Sequence, residues 1–420
     1  MSRWSVPTLA TAALALAPLA PLGLLPPVVP LAPRVTVSQA RLDSAQAAHL
    51  LTALARSDST VCQLAGQTLA NNLGWGWEPT LFPMPMPMPT PMPMPMIEHL
   101  NLDRHDLVPR IHVHGGEWHD YGLDDATLGA FRAVLRDDNE CVRDIAARVL
   151  GRAKPAGTYE LFERLLTDRN PGVRVTGALG LGELEDPRAI DALTTALRDR
   201  AGDVRATAAW ALGELESGRS VGPLRSALRD PEPAVRRVAA WALGEIDDSA
   251  GVDALLPVLR DGDPSTRAAA AHALGEIASP VAVQGLGGLV GDRSADVRAT
   301  AIWALGEIAD ARAIDPLAPA LRHSDPDTRR LAAWALGEIG SPGAVDILVP
   351  VLKDREPMVR VAAAWALGEI ESPRAMDALK AAQDDESSEV RHAVRWALHQ
   401  LSENEPRPRE RARPRVRDRI

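Results

Sequence analysis

The sequence predicts an all-α solenoid built from stacked helix pairs, and three columns of residues that repeat every 31 positions predict it. Gly-Glu pairs begin at positions 182, 213, 244, 275, 306, 337 and 368. Arginine recurs in the same phase from Arg143 to Arg391, and leucine does so from Leu150 to Leu398. A fixed period of this length indicates repeated helical units, each of which must stack on its neighbours to bury its apolar face.

A single repeat shows how each unit is built. Pro187 can open a first helix, because a proline at that position loses no hydrogen bond. After a turn at 201–202, Asp203 is expected to cap a second helix that runs to about Leu215. At about 100° per residue, one side of this helix is apolar. The residues expected on that buried side are Val204, Ala208, Ala211, Leu212 and Leu215.

Composition fits close-packed helices and disfavours a nucleic-acid partner. Hydrophobic residues make up 46% of the 420 residues, yet there are only two Tyr and three Phe. Alanine and leucine therefore carry the apolar content, which is typical of helices. The net charge of −10 disfavours binding to nucleic-acid phosphates. Cys62 and Cys141 are too few for a disulfide framework, and whether they pair with each other stays open.

The repeated segment resembles a known family. Segments such as "VRATAAWALGEL" (204–215) and "VRVAAAWALGEI" (359–370) resemble HEAT-like repeats of the phycobilisome-lyase type, over about residues 129–401. The resemblance implies a right-handed α-solenoid whose second helices line the concave side. It is specific for the fold and says little about function. The repeat class includes chromophore lyases, but no lyase-specific residue is present to carry over.

Residues 1–40 are predicted to be an export signal. Arg3 precedes an apolar stretch at 9–17, and Ser38-Gln39-Ala40 offers the small residues that a signal peptidase needs. The protein is therefore expected in the periplasm or cell envelope. The alternatives are an uncleaved membrane tether and a disordered leader, although the prolines between 18 and 33 disfavour a membrane-spanning helix.

Four further segments complete the predicted organisation. Residues 41–73 are predicted to form a degenerate first repeat, because "VCQLAGQTL" (61–69) matches "VRDIAARVL" (142–150). Residues 74–122 are predicted to be a disordered insertion, 123–401 the repeat solenoid, and 402–420 a disordered Arg-rich tail. The tail suits an anionic partner or the acidic residues of its own solenoid, and a merely solvated tail is the simpler interpretation.

A tryptophan column and a glutamate column run side by side on the second helices. On the helical wheel, Trp210 lies roughly 140° from the centre of the leucine-bearing side, and Glu214 lies one turn further along the same face. Indole faces beside carboxylates suit a cationic, extended segment. The predicted function is therefore a non-catalytic scaffold that binds a protein or peptide of cationic character. The candidate binding residues are Trp210, Trp241, His272, Trp303, Trp334, Trp365, Trp396, Glu214, Glu245, Glu276, Glu307, Glu338 and Glu369.

The tryptophan column and the arginine column each have a purely structural interpretation. The indoles could simply pack over the alanines of adjoining helices, since tryptophan is often half-buried for packing alone. The arginine column is interpreted as structural. Its members are expected to pair with aspartates on the loops that precede the second helices. These aspartates are Asp199, Asp230, Asp261, Asp292 and Asp354.

The insertion supports a second hypothesis, that of an exported copper-binding protein. Residues 83–96 read PMPMPMPTPMPMPM; thioethers select Cu(I), and imidazoles suit copper or zinc. The candidate ligands are His112, His114, His119, Glu117, Met84, Met86 and Met88. The alternative is a low-complexity linker with incidental histidines. A third hypothesis is a lyase-like protein that holds a chromophore or prosthetic group against the solenoid.

Two apparent catalytic motifs do not fit their context. Residues 218–222 match the pattern of a nucleophile elbow, but no strand precedes them. Residues 177–182 (GALGLG) resemble half of a dinucleotide-binding loop, but they lie in the register of a second helix. The chain is therefore predicted not to be an enzyme and to need no cofactor.

Overall fold

The computed structural model describes residues 44–55 and 123–403, and within these ranges every regular element is helical. Helix pairs follow one another in tandem, and each second helix packs on the second helix of the next repeat. The predicted all-α solenoid of 31-residue helix pairs is therefore confirmed. The predicted export signal (1–40), the Met/His insertion (74–122) and the tail beyond Glu403 lie outside the described residues. None of the described helices has both the length and the apolar content needed to cross a bilayer.

The helices alternate between short first helices and longer second helices. Helix α1 (Ser44–Ala55) precedes them and lies in the predicted first repeat. The first helices are α2 (Asp125–Ala133), α4 (Thr158–Leu165), α6 (Ile190–Ala196), α8 (Val221–Ala227), α10 (Val252–Leu255), α12 (Val283–Gly287), α14 (Ile314–Leu317), α16 (Val345–Leu348) and α18 (Met376–Ala381). The second helices are α3 (Glu140–Ala153), α5 (Pro171–Leu184), α7 (Gly202–Glu214), α9 (Pro233–Glu245), α11 (Pro264–Glu276), α13 (Ala295–Ile308), α15 (Pro326–Ile339), α17 (Pro357–Glu369) and α19 (Ser388–Glu403).

The first helices are short because prolines and 3-10 turns flank or interrupt them. Pro257 and Pro350 each remove a backbone donor, and the chain there tightens into 3-10 turns. The 3-10 turns are Pro187–Ala189, Gly218–Ser220, Ser249–Gly251, Leu256–Arg260, Pro280–Ala282, Ala311–Ala313, Ala320–Arg322, Pro342–Ala344, Val349–Lys353 and Pro373–Ala375. The nucleophile-elbow pattern at 218–222 thus begins a helix and follows no strand.

The core lies between the two layers of helices and is built mainly from alanine, valine and leucine. In α7, the predicted residues Val204, Ala208, Ala211 and Leu212 are fully buried, whereas Leu215 is only half-buried. Alanine recurs because neighbouring second helices approach closely along their whole length. The 31-residue period carries this packing from one repeat to the next.

The loop before most second helices is organised by an aspartate, and before α7 this is not the aspartate that was predicted. Asp203 lies in the first turn of α7 and makes no side-chain cap. Instead, Oδ1 of Asp199 accepts a hydrogen bond from the backbone N–H of Ala201 at 2.8 Å. The capping prediction was wrong because the aspartate four residues earlier already satisfies the loop.

An Asp–Arg network is present as predicted, but each arginine pairs with a different aspartate from the one expected, and the pairs join successive repeats. Nε and Nη2 of Arg205 donate to the carboxylate of Asp230 at 2.7 and 2.8 Å, and Nη1 donates to the carbonyl of Asp199 at 2.9 Å. The carboxylate therefore belongs to the loop that follows, and the preceding loop supplies only its carbonyl. The pairs that join one repeat to the next in this way are Arg174–Asp199, Arg205–Asp230, Arg236–Asp261, Arg267–Asp292 and Arg329–Asp354. Arg360 donates to Asp385 through Nη2 alone, at 2.8 Å.

Arg298 departs from the pattern, because the residue 25 positions later is His323. Nδ1 of His323 accepts the backbone N–H of Asp325 at 3.1 Å, as an aspartate would. The ring offers no carboxylate to Arg298, however, and Nε of Arg298 is buried without a hydrogen-bond partner. The Arg–Asp network is therefore incomplete between the repeats that contain α13 and α15.

Helix α1 is joined to the helices that follow it by packing contacts and a hydrogen bond. Helix α1 packs against α2 and α3, and Nδ2 of Asn139 donates to the carbonyl of Ala55 at 3.4 Å. Cys141, near the start of α3, is disulfide-bonded. The other cysteine of the sequence is Cys62, which lies outside the described residues.

Candidate protein-interaction surface

The second helices place the predicted tryptophan and glutamate columns on one surface, which we call the Trp/Glu face. It consists of the side chains at 31-residue intervals through Trp210 and through Glu214, in helices α7 to α19. The glutamates stand at the last or next-to-last residue of their helices. The columns align because each second helix packs on the next. The structure thus brings the sequence-predicted residues together in two adjoining rows.

The tryptophans are partly packed and partly accessible. Trp334 is buried, at 8% exposed, and the other five tryptophans of the column are half-buried. Each indole lies over the glycine of the Gly-Glu pair in the preceding second helix. A methyl group at Gly182 would come within 2.6 Å of Cζ3 of Trp210, and one at Gly368 within 2.5 Å of Cζ3 of Trp396. The glycine column is therefore explained by the close approach of the next repeat's indole and alanine.

We expect Gly275→Ala to lower the free energy of unfolding by about 1 kcal/mol. Its methyl group would lie 2.7 Å from Cζ3 of Trp303 and 3.0 Å from Cα of Ala304, and such overpacking costs about 1–3 kcal/mol. The better helix propensity of alanine offsets about 0.5–1 kcal/mol of this. Urea denaturation followed by circular dichroism measures the difference.

The matched control is Gly129→Ala, because Gly129 lies within helix α2 with nothing within 4 Å of the added methyl group. It should stabilise the protein by about 0.5–1 kcal/mol through helix propensity alone. If both substitutions stabilise the protein equally, the contact between neighbouring second helices is not tight.

His272 takes the place of a tryptophan in α11. Its ring stacks on that of Trp303 with centroids 4.8 Å apart and planes inclined by 17°. Its Nε2 lies 3.6 Å from Oε1 of Glu276. Burial lowers the pKa of His272, and the neighbouring carboxylate only partly opposes this. A largely neutral imidazole thus continues the aromatic row.

Two arginines of helix α3 lie immediately before the N-terminal end of the Trp/Glu face, and they were not among the predicted residues. Arg148 and Glu183 form a buried ion pair, and Nε of Arg152 lies 2.7 Å from Oε2 of the same glutamate. The guanidinium of Arg148 also lies 6.0 Å from the ring centroid of Trp210. The signal was available, since Arg148 stands two repeats before Trp210 in the tryptophan column and Arg152 stands one repeat before Glu183 in the glutamate column.

Further along the face, two glutamates have a raised pKa, mainly because the surrounding protein desolvates them. Burial raises the pKa of Glu214 to about 8, with further contributions from Glu183 and Glu245. Glu338 is exposed, yet the surrounding protein raises its pKa to about 7, assisted by Glu307 and Glu369. A hydrogen bond from Trp334 opposes the shift of Glu338. Negative charge on this row is therefore costly unless a cation is near.

We expect Glu214→Gln/Glu338→Gln to stabilise the protein at pH 8 and to have little effect near pH 5. Both folded-state pKa values, about 8 and about 7, lie above the usual value. Between pH 4.5 and 8 the folded chain therefore binds more protons than the unfolded chain, and stability falls as pH rises. After allowance for solvent screening, the gain is on the order of 1 kcal/mol. Thermal melts at both pH values test this, and a difference that does not depend on pH contradicts it.

No metal centre is found in the described part of the chain, where no group of three or more His, Cys, Asp or Glu side chains is arranged to hold an ion. The copper ligands considered from the sequence lie outside this part. They are His112, His114, His119, Glu117, Met84, Met86 and Met88.

The glycine-rich segment in α5 has a packing explanation. A methyl group at Gly180 would come within 2.3 Å of the ring of Phe162, and one at Gly177 within 2.9 Å of the Phe162 carbonyl oxygen. These glycines make room for the first helix of their own repeat. The resemblance to a dinucleotide-binding loop is therefore incidental.

Comparison with known families decides the classification. A family model described as HEAT repeats matches residues 129–213, 195–258, 221–294, 252–323 and 314–399. The protein belongs to the HEAT-repeat family. Five overlapping matches to one model follow from the unbroken 31-residue period, and they confirm the family resemblance predicted from the repeated segments. A search of curated protein sequences gives no significant match.

Solved structures share the fold of this HEAT-repeat protein. It is similar to importin beta, with a TM-score of 0.57 and 15% identity over 86% of this chain and 52% of that one. It also resembles the CpcE–CpcF complex of phycocyanin lyase from a Nostoc species (24% identity, 59% of this chain, 96% of that chain, TM-score 0.35). Human deoxyhypusine hydroxylase matches at 25% identity (61% of this chain, 99% of that chain, TM-score 0.29). Neither of the last two reaches a TM-score of 0.5, so neither bears on activity.

Proposed function

We propose that this HEAT-repeat protein is a non-catalytic scaffold that binds an extended, cationic segment of a protein partner along the Trp/Glu face. The observation that carries the proposal is Arg148, which pairs with Glu183 and lies near the ring of Trp210. Within one chain, this shows how an arginine is held by these two columns. The same two columns continue through α7 to α19, where a partner could supply the arginines.

The position of the glutamates supports a binding role. A carboxylate at a helix C-terminus opposes the helix dipole, typically by about 0.3–1 kcal/mol. The row places one there in α7, α9, α11 and α17, and one residue earlier in α13 and α15. Together with the raised pKa values of Glu214 and Glu338, this arrangement reduces stability. A cationic ligand would relieve the repulsion, whereas packing alone does not require it.

The Trp/Glu face offers a long surface with few of the features of an active site. The rows repeat the same side chains at each helix, whereas catalysis requires different groups that converge on one point. Extended binding is better served by repetition, since each repeat adds similar contacts. Half-buried indoles provide rigid apolar contacts between the carboxylates.

The test uses a synthetic peptide of seven Arg-Pro repeats as the probe and fluorescence anisotropy at low salt as the measurement. We expect Glu276→Gln/Glu307→Gln/Glu338→Gln to weaken binding about tenfold or more, if each lost ion pair contributes about 0.5 kcal/mol or more. These substitutions keep the side-chain shape and remove like-charge repulsion, so the fold should be retained. Substitution of Trp303 or Trp334 is less clean, because both indoles pack on the preceding helix.

The matched control is Asp253→Asn/Asp315→Asn/Asp377→Asn. It makes the same change in net charge, but on exposed residues of the first helices, one helix layer away. Equal weakening by both triple variants would mean that the probe responds only to net charge, and the proposed face would be rejected. A peptide of seven Glu-Pro repeats should not bind any of the three proteins.

A further inference from the structure

The C-terminal segment outside the described residues has a charge opposite to that of the Trp/Glu face. Residues 404–420 contain seven arginines against Glu405, Glu410 and Asp418. The face carries a row of six glutamates at 31-residue intervals from Glu214 to Glu369. The chain therefore contains its own candidate for the cationic occupant.

The segment also leaves the solenoid beside the end of the row. Helix α19 ends at Glu403, and Gln400 occupies the glutamate column, one repeat after Glu369. The glutamates lie at the C-terminal ends of their helices, which is the end at which residues 404–420 leave α19. No crossing of the solenoid is required to bring the segment onto the face.

Residues 404–420 can span the glutamate row, and their arginines are regularly spaced. Seventeen extended residues reach about 55–60 Å, and the six helix spacings from Gln400 to Glu214 amount to about 50–60 Å at 8–10 Å each. The arginines stand at every second position from 407 to 419. In an extended chain, alternate side chains point to the same side, so the arginines would face one way and Glu410 and Asp418 the other. Pro406, Pro408 and Pro414 disfavour a helix in this segment, because each lacks a backbone N–H and has a fixed φ.

We propose that residues 404–420 bind the Trp/Glu face of their own chain and compete with the partner for it. This inference rests on the proposed function, since it assigns a regulator to the same surface. A tethered segment has an effective concentration on the order of millimolar. A partner must therefore bind more tightly than the tail does, and removal of the tail's charge would open the face.

The test compares the full chain with a full-length variant in which all seven tail arginines, from Arg407→Gln to Arg419→Gln, are replaced. The probe is a labelled synthetic peptide of residues 404–420, measured by fluorescence anisotropy at low salt. The variant should bind the probe about tenfold or more tightly than the unaltered chain. Adding Glu276→Gln/Glu307→Gln/Glu338→Gln to the tail variant should remove this gain.

The outcomes separate the two proposals. Equal, measurable affinity of both chains for the probe would overturn the tail inference and leave the proposed function standing. No binding to either chain would overturn both proposals. If the difference between the two chains grows with protein concentration, the tail binds a neighbouring copy, and the intramolecular assignment is wrong.

Discussion

Asp261→Ala is expected to lower the free energy of unfolding by about 1.5–3 kcal/mol, because it leaves a largely buried guanidinium without the carboxylate that accepts two of its hydrogen bonds. Arg236 donates two hydrogen bonds to Asp261, at 2.7 and 2.8 Å, and both side chains are mostly buried. The substitution also removes the acceptor for the backbone N–H of Asp263. Because the pair joins two repeats, the loss should weaken one interface of the solenoid.

The comparison with Asp310→Ala isolates the role of burial. Asp310 also pairs with an arginine, at 2.7 Å, but Arg312 is 65% exposed and lies in the same loop. An exposed pair contributes about 0–1 kcal/mol. Denaturant titrations followed by circular dichroism should therefore show a loss in the free energy of unfolding that is severalfold larger for Asp261→Ala than for Asp310→Ala. Similar small losses would show that the Arg–Asp network contributes no more than a surface ion pair.

His323→Asp is expected to stabilise the protein by about 1.5–3 kcal/mol, the usual contribution of hydrogen bonds to a charged group. The new carboxylate should accept a hydrogen bond from Arg298, whose Nε is buried without a partner. The neighbouring sequence already suits an aspartate here. In the corresponding loop two repeats earlier, Asp261 and Asp263 occur two residues apart, and an aspartate introduced at position 323 would stand in the same relation to Asp325. Thermal melts should show a rise of several degrees.

The control at this position is His323→Asn. Asparagine can still accept the backbone N–H of Asp325, as His323 does now, but it brings no charge to Arg298. Little change is expected from it. A gain of the same size from asparagine would show that the loop, and not the completed ion pair, limits stability at this joint.

Much of the fold could be predicted because the period repeats the same information many times. The predicted residues Ala208 and Leu212 of α7 are buried, as helical geometry alone indicates. Ala206 and Ala209 are buried as well and were not predicted, because neighbouring second helices pack on both sides of α7. The Asp–Arg network was also predicted, from two columns in constant phase. The capping role predicted for Asp203 was wrong. Aspartate is a common capping residue, but here Asp199, which Arg174 of the preceding repeat holds in place, accepts the backbone N–H of the loop.

The candidate surface could be predicted only in part. Its two columns were visible in the sequence, and the binding role assigned to Trp210 and Glu214 stays a prediction. The side-chain contacts between one repeat and the next could not be predicted from the sequence. The glycine of each Gly-Glu pair was recognised as a marker of the period, but its fit under the next indole requires the distance between two helices.

The sequence by itself determined the helix pair, its 31-residue period, its buried side and the two rows of the Trp/Glu face. The helical periodicity of about 3.6 residues predicts the buried side of each helix, and the 31-residue period predicts the helix pairs and the two rows. Only the tertiary structure decided that Asp230 pairs with the arginine of the preceding repeat, that Arg148 pairs with Glu183 of the next second helix, and that Nε of Arg298 has no hydrogen-bond partner. These features depend on how closely and in which register one repeat stacks on the next, and the pattern within one repeat does not specify that.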